Sequence, residues 1–152
     1  MLSFKLFKEV KMKLKRILSL SIVFLLALTI TGCSLFATKQ KKMHLTIDSA
    51  ELSNNAKVFY VMVKPVDKNE FLTDSYDVLY NELFTSVALY RSVIKPGQTL
   101  TTDIPVTTSK DFGIYFFFTN PTDRWKLLIN QPIPSDYKIK LGVNGITDAS
   151  VD

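Results

Sequence analysis

Apolar and polar residues alternate from His44 to Ala50, with Leu45 and Ile47 set between His44, Thr46 and Asp48, and a period of two predicts a strand with one buried face. A turn-rich stretch follows, Glu51 to Ala56, with Ser53-Asn54-Asn55 at its centre. Lys57 to Val66 is almost continuously apolar, β-branched or aromatic (Val58, Phe59, Tyr60, Val61, Met62, Val63), which predicts a central strand covered on both faces. The strand pattern breaks at Thr73 and Asp74, either of which can cap a helix. Val78, Leu79, Leu83 and Phe84 then fall at helical spacing and predict about three turns from Ser75 to Phe84. Alternation returns from Val87 to Lys95, reverses at Pro96-Gly97, and continues through the Thr-rich stretch Thr99 to Val106. Phe112 to Thr119 is the most apolar strand of all. Asn120-Pro121-Thr122-Asp123 turns the chain into Arg124 to Asn130, and Gln131 to Ser135 leads to a last strand from Tyr137 to Val143. Seven short strands with one inserted helix predict a mainly β fold, a sandwich of two sheets; an α/β fold would need helices alternating with the strands.

The N-terminal third has a different pattern. Basic residues up to Arg16 precede an apolar run from Ile17 to Ile30, broken only by Ser19, Ser21 and Thr29, and small residues Thr31-Gly32 close it. That is the order of a signal peptide. The run of about 14 residues makes roughly 21 Å of helix, short of a bilayer core of about 30 Å, so a permanent membrane span is the weaker reading. Met12 opens a more economical version of the same leader, so Met1 and Met12 are both candidate starts. Ile30-Thr31-Gly32-Cys33 resembles the lipobox of lipoprotein signal peptidase, with cleavage expected between Gly32 and Cys33. The chemistry suits those residues. A thiol can be alkylated by a diacylglyceryl group, a small residue before it admits the peptidase, and the freed α-amino group can take a further acyl chain. Cys33 is the only cysteine, so an intrachain disulfide is excluded and stability must come from the core. The chain therefore divides into a cleaved leader (1–32), a lipidated tether (33–42), a β-sandwich domain (43–147) and a short tail (148–152). Ser34, standing where an aspartate would signal inner-membrane retention, points to the outer membrane with the domain facing the periplasm.

Charge changes meaning once it is located. The whole chain has 19 basic and 14 acidic residues, but six of the basic ones and one acid, Glu9, lie before Cys33. From Cys33 onward 19 − 6 = 13 basic residues face 14 − 1 = 13 acidic ones, so the mature part is neutral and offers no footprint for nucleic acid. Catalytic chemistry is also thin. The one histidine, His44, lies on the polar side of the first strand, no metal-ligand cluster can be built from it and Cys33, and no glycine-rich phosphate loop occurs. Asp74 and Asp77 could be drawn as an acid/base pair, but at a helix start carboxylates suit the macrodipole. Trp125 and Phe116-Phe117-Phe118 read as core aromatics rather than a ligand pocket. No enzyme activity, metal, cofactor or small-molecule substrate is expected.

Taken in order, these pieces resemble the TssJ (SciN/VasD-like) family, the outer-membrane lipoproteins of type VI secretion systems, from Cys33 to Ile146. The resemblance is carried by the lipobox, the first strand and its Asn54-Asn55 loop, the apolar second strand, Phe71-Leu-Thr-Asp-Ser-Tyr-Asp77-Val-Leu79, the Pro96-Gly97 turn, the aromatic strand Phe112 to Phe118, and Trp125-Lys126. It implies a transthyretin-like β-sandwich of about seven or eight strands with an extra short helix. It also implies a tethering function: diacylglyceryl and N-acyl lipid on Cys33 fixes the protein in the outer membrane, and the domain binds the periplasmic C-terminal region of the inner-membrane TssM-type protein. In that family the loop joining the first two strands docks the partner, which here is Glu51, Leu52, Ser53, Asn54, Asn55 and Ala56. Such a loop would offer exposed backbone and Asn amides at the sandwich rim, away from the lipid. Two other classes fit the leader equally: a periplasm-facing lipoprotein binding module with an apolar pocket between its sheets, and a pilotin or assembly factor of another envelope machine.

Overall fold

Along Lys42–Ser49 the alternating residues bury Met43, Leu45 and Ile47 and leave Lys42 and His44 in solvent, which makes this segment strand β1. A computed structural model of the chain describes residues 40–85 and 87–151. The leader, the lipobox with Gly32 and Cys33, and the tether up to residue 39 lie outside the described residues. After β1 come β2 (Phe59–Val66), the helices α1 (Lys68–Thr73) and α2 (Tyr76–Asn81), and β3 (Tyr90–Ile94). Strands β4 (Thr99–Pro105), β5 (Asp111–Phe117), β6 (Lys126–Ile129), β7 (Asp136–Leu141) and β8 (Ile146–Val151) follow. The strands form two four-stranded sheets, ordered β4-β1-β7-β8 and β3-β2-β5-β6. Among the described residues only β1 and β7 pair in parallel; every other pair is antiparallel.

The inner faces meet through Met43, Leu45, Ile47, Ile104 and Ile139 from one sheet and Phe59, Val61, Val63, Phe112, Ile114 and Phe116 from the other. Phe59 stacks on Phe118 with ring centroids 4.6 Å apart. β2 and β5 run down the middle of their sheet and are buried on both faces, as their unbroken apolar sequence predicts. Their outer faces put Met62, Val66, Tyr115 and Phe117 under the helical insertion, where Leu79, Leu83 and Trp125 cover them. Each of those two leucines contributes about 2 kcal/mol by leaving water.

The structure departs from the sequence pattern in four places. The expected helix from Ser75 to Phe84 is α2, shorter than its apolar spacing suggests, and α1 precedes it. α1 escapes a periodicity test because it buries none of its residues; its start is fixed instead by Asp67, whose Oδ1 accepts from the Glu70 amide at 2.8 Å. The cap of α2 is Ser75 rather than Thr73 or Asp74, since Asp74 closes α1. The supposed tail from 148 is part of β8, a polar edge strand in which only Ile146 is buried. Lys42, assigned to the tether, is the first residue of β1.

A buried polar cluster fastens the insertion to the outer face of its sheet. Lys64 on β2 lies 3.0 Å from Glu70 and 3.5 Å from Asp74, and Tyr115 on β5 donates its hydroxyl to Asp74. Lys126 on β6 donates to the carbonyls of Phe71, at 2.6 Å, and Asp74, at 2.8 Å, while lying over the Phe71 and Trp125 rings. Burial pushes the Lys126 ammonium below its ordinary range, opposed by the Asp74 charge, and burial followed by Asp74 raises the Tyr115 phenol. Gly113 is required here, because a Cβ would stand 2.5 Å from the Tyr115 hydroxyl. Gly113→Ala is expected to push that ring off Asp74 and lower stability by about 2 kcal/mol in urea unfolding; a midpoint equal to wild type would show that the ring has room.

Candidate functional site

β1 carries the chain from its point of entry to the opposite end of the sandwich. Its eight residues span roughly 26 Å at about 3.3 Å each. The loop Glu51 to Ala56 therefore stands on a distal rim, away from the end at which residue 42 joins the sheet. Neighbouring connections close around it. Gly97, at φ 74°, donates to the Ser49 and Ala50 carbonyls, and the Asn54 amide donates to Val143 between β7 and β8. Thr122, between β5 and β6, donates to Asn144 at 2.9 Å.

Within the loop, Ser53–Ala56 forms a 3-10 turn of opposite hand to the usual one. Asn54, Asn55 and Ala56 all have positive φ, at 51°, 54° and 58°. Left-handed backbone costs an L-residue about 1 kcal/mol or more, least for Asn, so a turn of three such residues persists only where its surroundings impose it. Asn54 supplies that constraint. Its Nδ2 donates to the Lys57 and Val58 carbonyls at 3.2 Å each, its Oδ1 accepts from the Thr119 amide at 2.6 Å, and it is 1% exposed. Ser53 is fully buried and donates to the Gly142 carbonyl at 2.7 Å.

This corrects the expectation that both Asn amides face solvent. Glu51, Leu52, Asn55 and Ala56 are exposed, Leu52 at 65%, whereas Ser53 and Asn54 are internal struts. A polar type suggests exposure, and only the fold shows Asn54 spent on backbone groups, one of them 65 positions away. The bonds of Asn54 to Val58 and Val143 also place those two exposed valines on either side of it. The rim is thus a rigid surface that presents apolar side chains beside one free amide.

Other candidate chemistry is dispersed. His44 lies toward the entry end, 2.9 Å from Asp103 and half exposed; that contact and Lys42 hold the Asp103 carboxyl below the usual range. Asp74 and Asp77 part company, the first joining the cluster beneath the insertion and the second lining a groove beside the rim. No group of three metal-ligating side chains occurs among the described residues, and no helix among them is long and apolar enough to cross a membrane. The groove, of about 360 Å³, runs between α2 and the rim ends of β2 and β5 and is lined by residues including Asn54, Val58 and Tyr80. Nothing in the sequence pattern marks it, because Tyr76 and Tyr80 read as ordinary helix positions.

Comparison with known proteins agrees with this geometry. The family model described as IglE, N-terminal domain, matches residues 60–141. No curated protein matches the chain. Solved structures share its fold at low identity. The type VI secretion lipoprotein TssJ1 of Pseudomonas aeruginosa is 12% identical with a TM-score of 0.59, over 74% of this chain and 97% of that one. Serratia marcescens Lip, a membrane-bound component of the type VI secretion system, is 16% identical with a TM-score of 0.58 over 74% of this chain and 98% of its own. A chain of the solved structure of the T6SS protein TssM C-terminal domain (869-1107) from EAEC is 18% identical with a TM-score of 0.58, over 70% of this chain and 96% of that one.

Proposed function

The chain belongs to the IglE N-terminal domain family, and from that premise we propose that it is a lipoprotein of a type VI secretion membrane complex, held in the outer membrane by lipid on Cys33 and docking the periplasmic C-terminal region of a TssM-type inner-membrane protein through its distal rim. The observation that carries this reading is the loop Glu51 to Ala56. A left-handed turn, fixed by buried Ser53 and Asn54, holds Leu52 and Asn55 in solvent at the end of the sandwich opposite the start of β1. Such strain has no use in an ordinary connection and suits a pre-organised contact surface. The fold shared with TssJ1 and Lip supports the secretion assignment, and the similarity to a chain of the TssM structure supports the choice of partner. Between the sheets, core side chains fill the space that a binding module would keep for a ligand. The work proposed is therefore mechanical, a bridge between membranes with no reaction of its own.

A crosslinked pull-down of the lipidated protein from envelopes, with partners identified by mass spectrometry, tests this. Recovery of a large inner-membrane protein with a periplasmic C-terminal domain is expected, falling about tenfold for Leu52→Asp combined with Asn55→Ala while the melting temperature stays within a few degrees. Recovery of outer-membrane proteins or peptidoglycan alone would overturn the docking reading.

A further inference from the structure

We propose that the groove beside α2 receives a segment of a partner protein that carries an arginine next to an apolar side chain. This deepens the docking reading above by naming the chemistry that the partner presents. The groove opens next to the loop and shares Asn54 with it, so a chain lying on the rim reaches it without a gap.

Its walls are aromatic. Tyr76 and Tyr80 stack at 6.0 Å with their planes only 12° apart, and Phe117 lies 5.8 Å from Tyr76 and 6.0 Å from Tyr80. The Tyr76 hydroxyl donates to the Phe118 carbonyl, which fixes the ring, and burial, helped by Tyr80 and Asp77, pushes that phenol up to about 12, so it stays neutral. Tyr60, also in the lining, meets Phe84 edge to face at 5.5 Å, and Phe84 is 72% exposed, extending the apolar surface beyond the groove. Apolar area of this kind on a solvent-facing helix calls for an apolar side chain on the occupant.

The charge specifies the rest. Asp77 lines the groove, and no ion pair among the described residues engages it or Glu82, the other carboxylate of this segment. An unpaired carboxylate beside electron-rich ring faces is complementary to a cation. A guanidinium satisfies both, stacking on tyrosine while its fork bonds the carboxylate, which a compact ammonium does less well.

The full-length chain in detergent micelles, labelled with fluorotyrosine, would be titrated with three peptides, acetyl-Leu-Arg-Leu-amide and its Gln and Glu counterparts, and followed by fluorine NMR. The Arg peptide is expected to shift the Tyr76 and Tyr80 signals and to bind about tenfold more tightly than the Glu peptide. Asp77→Asn should cut that preference to less than about twofold, and Tyr80→Ala should weaken the Arg peptide about fivefold, with both variants melting like wild type. Equal binding of the Arg and Glu peptides, a preference that survives Asp77→Asn, or no saturable shift up to about 10 mM would overturn the proposal. The envelope pull-down is read independently, so loss of the peptide preference leaves the docking result standing, and the reverse.

Discussion

Asn54→Ala is expected to destabilise the domain by about 3 kcal/mol and lower its melting temperature by about 10 to 15 °C, whereas Asn55→Ala should cost under about 1 kcal/mol. The difference follows from what each side chain touches. Asn54 makes three hydrogen bonds to backbone groups, each worth about 1 kcal/mol net, and truncation leaves the Lys57 and Val58 carbonyls short of a donor. Alanine also tolerates the left-handed conformation at φ 51° less well than asparagine, adding up to about 1 kcal/mol. Asn55 has similar backbone strain but an exposed side chain, so its loss removes a surface amide and little else. Thermal melts by circular dichroism measure the first effect. Amide exchange at Thr119, whose N–H is held by Asn54, localises it: protection there should vanish in the Asn54 variant and persist in the Asn55 variant. Matching melting curves for the two variants would mean that the strut contributes nothing.

That pair also marks the boundary of what the chain discloses before folding. Strands β1, β2 and β5 are legible because their apolar residues recur with the pleat or run unbroken through a doubly covered position, and burial rewards each such residue separately. β8 is not, since an edge strand with one buried residue leaves hardly any pattern, and neither is α1, which buries no residue and whose start is set by the Asp67 cap. The docking loop can be located from the sequence as a cluster of turn formers, but the roles inside it cannot, because Ser53 and Asn54 find partners on β-connections far along the chain. Lys64 is illegible for the same reason. It interrupts an apolar strand as if by error, and only the insertion folded over it supplies the carboxylates that make a lysine admissible there. Leu52 and Asn55, by contrast, face solvent as their loop context implies.

The largest single effect is expected at that cluster, with Asp74→Ala costing about 3 to 4 kcal/mol in urea unfolding. Asp74 and Lys64 have side chains only 12% and 11% exposed, so removal of the carboxylate leaves an ammonium in a poorly hydrated site with Glu70 alone beside it, and leaves the Tyr115 hydroxyl without its acceptor. Breaking one partner of a buried ion pair is what makes the cost large. Removing both charges together with the orphaned hydroxyl, as Lys64→Met with Asp74→Leu and Tyr115→Phe, eliminates the stranded groups and should restore most of the loss, to within about 1 kcal/mol of wild type. A cycle with Tyr115→Phe should show a coupling to Asp74 of about 1 to 2 kcal/mol, since the two groups share one hydrogen bond. The consequence reaches the groove. α1 and α2 are joined through Asp74, and α2 carries Tyr76, Asp77 and Tyr80, so the Asp74 variant should lose the arginine preference even where the sandwich itself remains folded. If Asp74→Ala unfolds at the wild-type urea concentration, the insertion is held by its leucines and by Lys126 alone, and the carboxylate has no part in positioning α2.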